Sequence, residues 1–181
     1  MLRERAKAIA YWVWTMDLAL TTLAFLLAWW LRSHIAPQLA PALFPTELYP
    51  LSRYLGLLPL VLAIWTLLLV TRETYTSRRT VALATEVWQV VQVVGAGTLT
   101  LAAAGWLLRL DFVSRPFLML FASLDLVLLL AEKLALRLAA RHMRRRGFNY
   151  RTLLIVGINP RAEEVAQIIG DHPHWGLKLL G

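Results

Sequence analysis

Long apolar segments leave this chain few folds to choose from. Residues 12–31, 54–70, 87–108 and 117–136 are each predominantly apolar, and a helix needs roughly 17–25 such residues to cross the hydrocarbon core of a bilayer. The alternative, a soluble bundle, requires a polar stripe at helical period on each helix, because one face stays wet. Residues 57–69 carry no such stripe. Nor does the first segment read as a cleaved signal peptide, since it is long, ends in Trp29-Trp30-Leu31-Arg32 and lacks a small-residue cleavage site. A hydrophobic share of 59% and a mean hydropathy of +0.58 fit the same reading. The expected fold is mainly α, a four-helix transmembrane bundle.

Orientation follows from the basic residues near the span ends. The N-terminal tail carries Arg3, Arg5 and Lys7, and the second loop carries Arg72, Arg78 and Arg79. After the fourth segment come Lys133, Arg137, Arg141, Arg144, Arg145, Arg146 and Arg151. The first and third loops hold only Arg32, Arg53, Arg109 and Arg115. Thirteen against four places both termini in the cytoplasm. Trp12, Trp14, Trp29, Trp30, Trp88 and Trp106 fall near span ends, where indoles prefer the headgroup level; Trp65, mid-segment, does not fit that rule. Pro37, Pro41, Pro45 and Pro50 in the first loop predict a short turn-rich cap rather than a regular helix.

The net charge of +8 is not a nucleic-acid signature here. Arg137, Arg141, Arg144 and Arg145 recur at helical spacing just past a span, which aims them at anionic lipid headgroups of the cytoplasmic leaflet. The expected partners are therefore the bilayer and its anionic lipids, with no nucleic acid; a homo-oligomer stays open. With no cysteine, disulfides and thiolate metal sites are excluded. The histidines make no metal site either, His172 and His174 lying in a Pro-containing turn and His34 on the other side of the membrane.

Two acidic residues fall inside apolar segments. Asp17 lies in the first, and Asp125 lies roughly 12 Å into the fourth at about 1.5 Å per residue. A carboxylate there must face the bundle, find a donor or be protonated. A transport path would bring several such groups, broken helices or an inverted repeat, so a hydrogen bond between helices, with Thr, Ser or Trp as partner, is the expected role. In the third segment Ala96, Thr100 and Ala104 place a small residue at every fourth position, beside Gly95, Gly97 and Gly105, predicting close approach of a neighbouring helix.

Past Gly147 the pattern changes. Residues 151–157 read as a buried parallel strand ending in a glycine turn. A helix follows with Asn159 as N-cap, Pro160 in first position and Glu163 and Glu164 in the first turns, stopping at Gly170. Residues 177–180 begin another strand. This is the start of a Rossmann-like α/β unit, too small to cover a parallel sheet on both faces, so the chain is expected to be part of a longer protein. As a cofactor-binding fingerprint the turn is weak: only Gly157 of the expected glycines is present, Asn159 stands where a phosphate would approach, and the glutamates oppose an anion.

The order of these features resembles the N-terminal region of bacterial polyprenyl glycosylphosphotransferases, membrane enzymes of exopolysaccharide biosynthesis. The resemblance is carried by Glu73-Thr74-Tyr75-Thr76-Ser77-Arg78-Arg79, Leu110-Asp111-Phe112-Val113-Ser114-Arg115, the strand Thr152-Leu153-Leu154-Ile155-Val156-Gly157, and His172-Pro173-His174-Trp175-Gly176. It implies a bacterial inner-membrane, multi-pass anchor and linker for a sugar transferase. The catalytic module, which moves sugar 1-phosphate from a nucleotide sugar to polyprenyl phosphate with a divalent metal such as Mg, would lie outside this chain. It implies no catalytic residue, no metal site and no cofactor here, so the chain alone is expected to be inactive. Tyr75, Arg78, Arg79, Ser114 and Arg115 match the family pattern at helix ends, where interfacial anchoring is the expected role, and polyprenyl phosphate near the membrane stays open as a partner. Membrane-bound nucleotide-sugar dehydratases resemble the same arrangement, and a non-catalytic membrane scaffold is the third reading. The expected organisation is a cytoplasmic tail (1–11), a transmembrane domain (12–136), a basic juxtamembrane helix and linker (137–150) and an incomplete Rossmann-like domain (151–181).

Overall fold

The computed structural model describes residues 2–39, 49–71, 83–110, 112–145, 151–153, 155, 159–171 and 177–179. The chain is mainly helical and divides into two compact units, Met1–Ala131 and Glu132–Gly181.

In the first unit, α1 (Leu2–Trp30) continues through a π-helical turn (Leu31–Ile35) into the short α2 (Ala36–Leu39). The expected turn-rich cap therefore begins later than residue 33. Pro37 cannot supply an N–H to the helix and its ring would strike the carbonyl of the preceding turn. The wider π turn, in which Ala36 N–H reaches back to the Leu31 carbonyl, stands directly before it. Next come α3 (Leu51–Leu55), α4 (Leu58–Thr71) and α5 (Leu83–Leu107), and α6 (Arg115–Arg145) starts in this unit.

Among the described residues three stretches are long and apolar enough to cross a membrane: Ala8–Gln38, Leu51–Thr71 and Leu83–Leu107. Of the four expected segments, the one in α6 is not among them. Although α6 has 31 residues, Arg115, Asp125, Glu132 and Lys133 interrupt its apolar run.

The interior is built around Phe25 of α1. Its ring stands edge-on to Tyr54, Phe117 and Phe121, with centroids 6.5, 5.2 and 5.6 Å away. Such pairs are worth about 0.5–1.5 kcal/mol each beyond burial. Val61 and Trp65 of α4 and Val93 and Leu101 of α5 complete the same buried cluster. Among apolar surroundings helices are held by shape rather than by escape from water, and Gly97 shows how. A Cβ there would lie 2.8–3.0 Å from carbons of the Trp65 ring. The indole thus lies against the bare α5 backbone. The small-residue face expected from Ala96, Thr100 and Ala104 is not the packing face, for Thr100 is exposed, and a Cβ at Gly95 or Gly105 would meet open space.

In the second unit β1 (Arg151–Leu153) and β2 (Leu177–Leu179) pair in parallel, Arg151 opposite Leu177, with α7 (Pro160–Asp171) between them in sequence. The helix opens at Pro160 as its cap predicts and runs one residue past Gly170. Of the strand expected over 151–157, Arg151–Leu153 is strand, and residues 154, 156 and 157 lie outside the described residues. Among the described residues two three-residue strands and one helix form a single parallel β-α-β crossover, and no Rossmann unit is shown.

Candidate functional site

The most unusual chemistry in the first unit is polar and fully enclosed. Asp17 and Thr21 share one face of α1, being four residues apart; both are 0% exposed, as are Trp65 and Asp125. The Trp65 indole donates from Nε1 to Asp125 Oδ2 at 2.7 Å. Thr21 and Asp17 of α1 lie on the same polar centre, Asp17 as a like charge to Asp125, while Thr21 Oγ1 and Asp125 Oδ1 are buried with no hydrogen-bond partner among the described residues. Three helices so contribute to one polar centre, and the structure brings together the two acids that stood out in the sequence. A buried carboxylate without such neighbours would cost several kcal/mol. The Trp65 donor offsets part of that cost and ties α4 to α6.

At the end of the unit that carries the α5–α6 turn, the backbone is closely specified. Arg109 adopts φ 52°, the left-handed region. Its N–H donates to the Trp106 carbonyl at 3.2 Å and that of Leu110 to the Gly105 carbonyl at 2.8 Å, the paired bonds of a helix stop normally built on glycine. The Tyr54 hydroxyl then donates to the Phe112 carbonyl at 2.6 Å, fastening the turn to α3. Ser114 starts α6 by accepting from the Phe117 N–H at 3.3 Å. Arg115 is exposed at this helix start.

In the second unit, Glu132 is 5% exposed and pairs with Lys133 Nζ at 2.9 Å. Arg137 is half-buried and Arg141 exposed on α6; the helix includes Arg144 and Arg145, whose side chains lie outside the described residues. Arg78, Arg79 and Gly157 also lie outside them. At the start of α7 the Ala162 N–H is taken by Asn159, by Oδ1 at 3.0 Å and by the carbonyl at 2.8 Å. Glu163 adds negative charge to that first turn.

Several of these residues escaped the sequence reading. Thr21 was signalled only by its spacing from Asp17, and Trp65 by being a tryptophan away from any interface. Arg109 and Glu132 carried no separate signal. Arg32 reads as a loop cation, yet it is 3% exposed within the π turn.

Long apolar helices with an enclosed polar centre, together with a small parallel β-α-β unit, define a membrane-type helical protein with an α/β appendage. Residues 71–181 match the CoA-binding domain family, and the chain belongs to that family, a domain found in sugar-transferase-associated proteins. No curated protein and no solved structure matches the chain. The family description raises the question of a bound CoA. The described residues at the start of α7 do not fit its phosphates: Asn159 already occupies the Ala162 N–H, and Glu163 repels an anion.

Proposed function

We propose that this chain is the membrane anchor and linker region of an enzyme that transfers sugar 1-phosphate from a nucleotide sugar to polyprenyl phosphate in bacterial polysaccharide biosynthesis. The observation that carries the reading is the family match, which runs from the end of α4 through α5, α6 and the β-α-β unit. The match takes in α5, α6 and the β-α-β unit together, and the domain is one found in sugar-transferase-associated proteins.

In this reading the first half of α6 is the fourth span. Support comes from the burial of Phe117, Phe121 and Asp125 in the interior shared with α1, α4 and α5, and from the Trp65 bond that offsets the Asp125 charge. Both termini lie in the cytoplasm of an inner-membrane protein, on the strength of the basic-residue distribution. The chain then holds a separate catalytic module, with its divalent metal, at the membrane surface where polyprenyl phosphate resides. It supplies no catalytic residue and no cofactor of its own.

The test is an assay with nucleotide sugar, Mg and polyprenyl phosphate, run on the full natural reading frame and on residues 1–181 alone. Transfer by the first and none by the second is expected. Turnover by residues 1–181 overturns the anchor role, and a downstream dinucleotide-binding domain with dehydratase activity replaces the transferase assignment. Because the chain has no cysteine, topology is read by single substitutions. Asp111→Cys should react with an impermeant thiol reagent from outside the cell, and Ser77→Cys only after the membrane is opened.

A further inference from the structure

The end of α5, the turn after it and the start of α6 enclose an open groove of about 970 Å³, whose walls include Trp106, Leu107, Arg109, Val113, Arg115 and Leu118. Its chemistry is divided. Trp106 is 83% and Leu107 75% exposed, a large apolar surface at the very end of a spanning helix. Arg109 and Arg115 bring two guanidiniums to the same groove, and among the described residues neither meets a carboxylate. Arg115 also stands in the first turn of a long helix, where the backbone dipole favours negative charge.

These two halves select an occupant. An inorganic anion would satisfy the arginines and leave Trp106, Leu107 and Leu118 without an apolar partner. A lipid of no net charge would cover those side chains, but its headgroup either has no phosphate or pairs that phosphate with a cation of its own. An amphiphile with a phosphate head and hydrocarbon tails satisfies both, since guanidinium groups grip phosphate oxygens in paired hydrogen bonds. Tryptophan at a span end belongs at the headgroup depth where such a phosphate lies. We propose that the α5–α6 groove is a binding site for an anionic glycerophospholipid, its phosphate held between Arg109 and Arg115 and its acyl chain lying along Trp106, Leu107 and Leu118.

The site is tested on the whole chain in bilayer discs of phosphatidylcholine containing a minor fraction of lipid with brominated tails, carried on either phosphatidylglycerol or phosphatidylcholine. Bromine quenches indole on contact, and subtracting the signal of Trp106→Phe isolates the contribution of Trp106. Brominated phosphatidylglycerol should quench Trp106 more than brominated phosphatidylcholine at equal mole fraction. The preference should fall by about 5-fold for each of Arg109→Gln and Arg115→Gln, as expected for a basic side chain near an anionic surface, and Arg115→Lys should keep part of it. Excess inorganic phosphate should not abolish it. Native mass spectrometry of the wild type and the doubly substituted chain gives a readout that needs no tryptophan, with retained phosphatidylglycerol lost from the second. Equal quenching by the two lipids, a preference that survives loss of both arginines, or displacement by free phosphate overturns the proposal.

Discussion

Trp65 and Asp125 meet inside the helical unit, the indole Nε1 of α4 donating to the carboxylate Oδ2 of α6 at 2.7 Å. The bond joins the most apolar of the helices to the one with most charge in its apolar run. Trp65→Phe and Asp125→Leu should each destabilise the unit, and a double-mutant cycle should return a coupling of about 0.6 kcal/mol and no more than about 1.7, the average and the maximum found for side-chain bonds between membrane helices. Reversible unfolding in mixed micelles measures it; strictly additive effects would show that the two side chains do not act together.

Gly97 and Gly95 make a matched pair of controls. Gly97→Ala drives a methyl against the Trp65 ring, and should cost about 1–3 kcal/mol by overpacking. Gly95→Ala enters open space and should gain up to about 1 kcal/mol from reduced backbone freedom in the unfolded chain. The same unfolding experiment separates them, and equal effects would refute the close contact.

Arg109 holds a left-handed conformation that glycine adopts without cost. Arg109→Gly should therefore stabilise the α5–α6 turn by roughly 1 kcal/mol, whereas Arg109→Val should destabilise it. Measuring both in neutral detergent keeps lipid charge out of the comparison. A loss of stability on Arg109→Gly would contradict the conformational origin of the effect.

The Tyr54 hydroxyl bond to the Phe112 carbonyl is worth about 0.5–1.5 kcal/mol, so Tyr54→Phe should lower stability by that amount while leaving the ring packing against Phe117 in place. Hydrogen exchange around residues 112–114 should rise selectively. Uniform change along the chain would argue against a local fastening.

Asn159→Ala should remove the α7 cap at a cost of about 1 kcal/mol, seen as faster exchange of the first α7 amides. CoA titrated into the purified chain should show no saturable binding up to about 1 mM, a free-energy threshold of about −4 kcal/mol. Tight binding would mean that the phosphates are held outside the start of α7.

What was legible in the sequence follows from the range over which each signal acts. Apolar length marked the ends of α4 and α5 to within a few residues, and local cap chemistry located the start of α7 at Pro160, because both depend on neighbouring residues. Asp17 and Asp125 were conspicuous by type. Their meeting with Thr21 and Trp65 was not readable, since it depends on how three helices rotate about their axes. The small-residue expectation on α5 held at Gly97 and not along the Ala96, Thr100 and Ala104 row for the same reason: spacing identifies residues able to pack, but the bulk of Trp65 decides which of them does. The extension of α1 through Pro37 went unseen because a proline ordinarily ends a helix, and the π turn that accommodates it has no sequence signature.

The donor in the Trp65–Asp125 bond precedes its acceptor by sixty residues, and this separation imposes an order of assembly. When α4 is made, no Asp125 yet exists to receive its indole N–H. Of the polar centre only Asp17 and Thr21 of α1 then exist beside it, and α6 supplies the acceptor together with Phe117 and Phe121 of the buried cluster. A chain interrupted before residue 125 would retain three insertable helices yet present an open polar seam, a chemical mark by which an unfinished copy differs from a finished one.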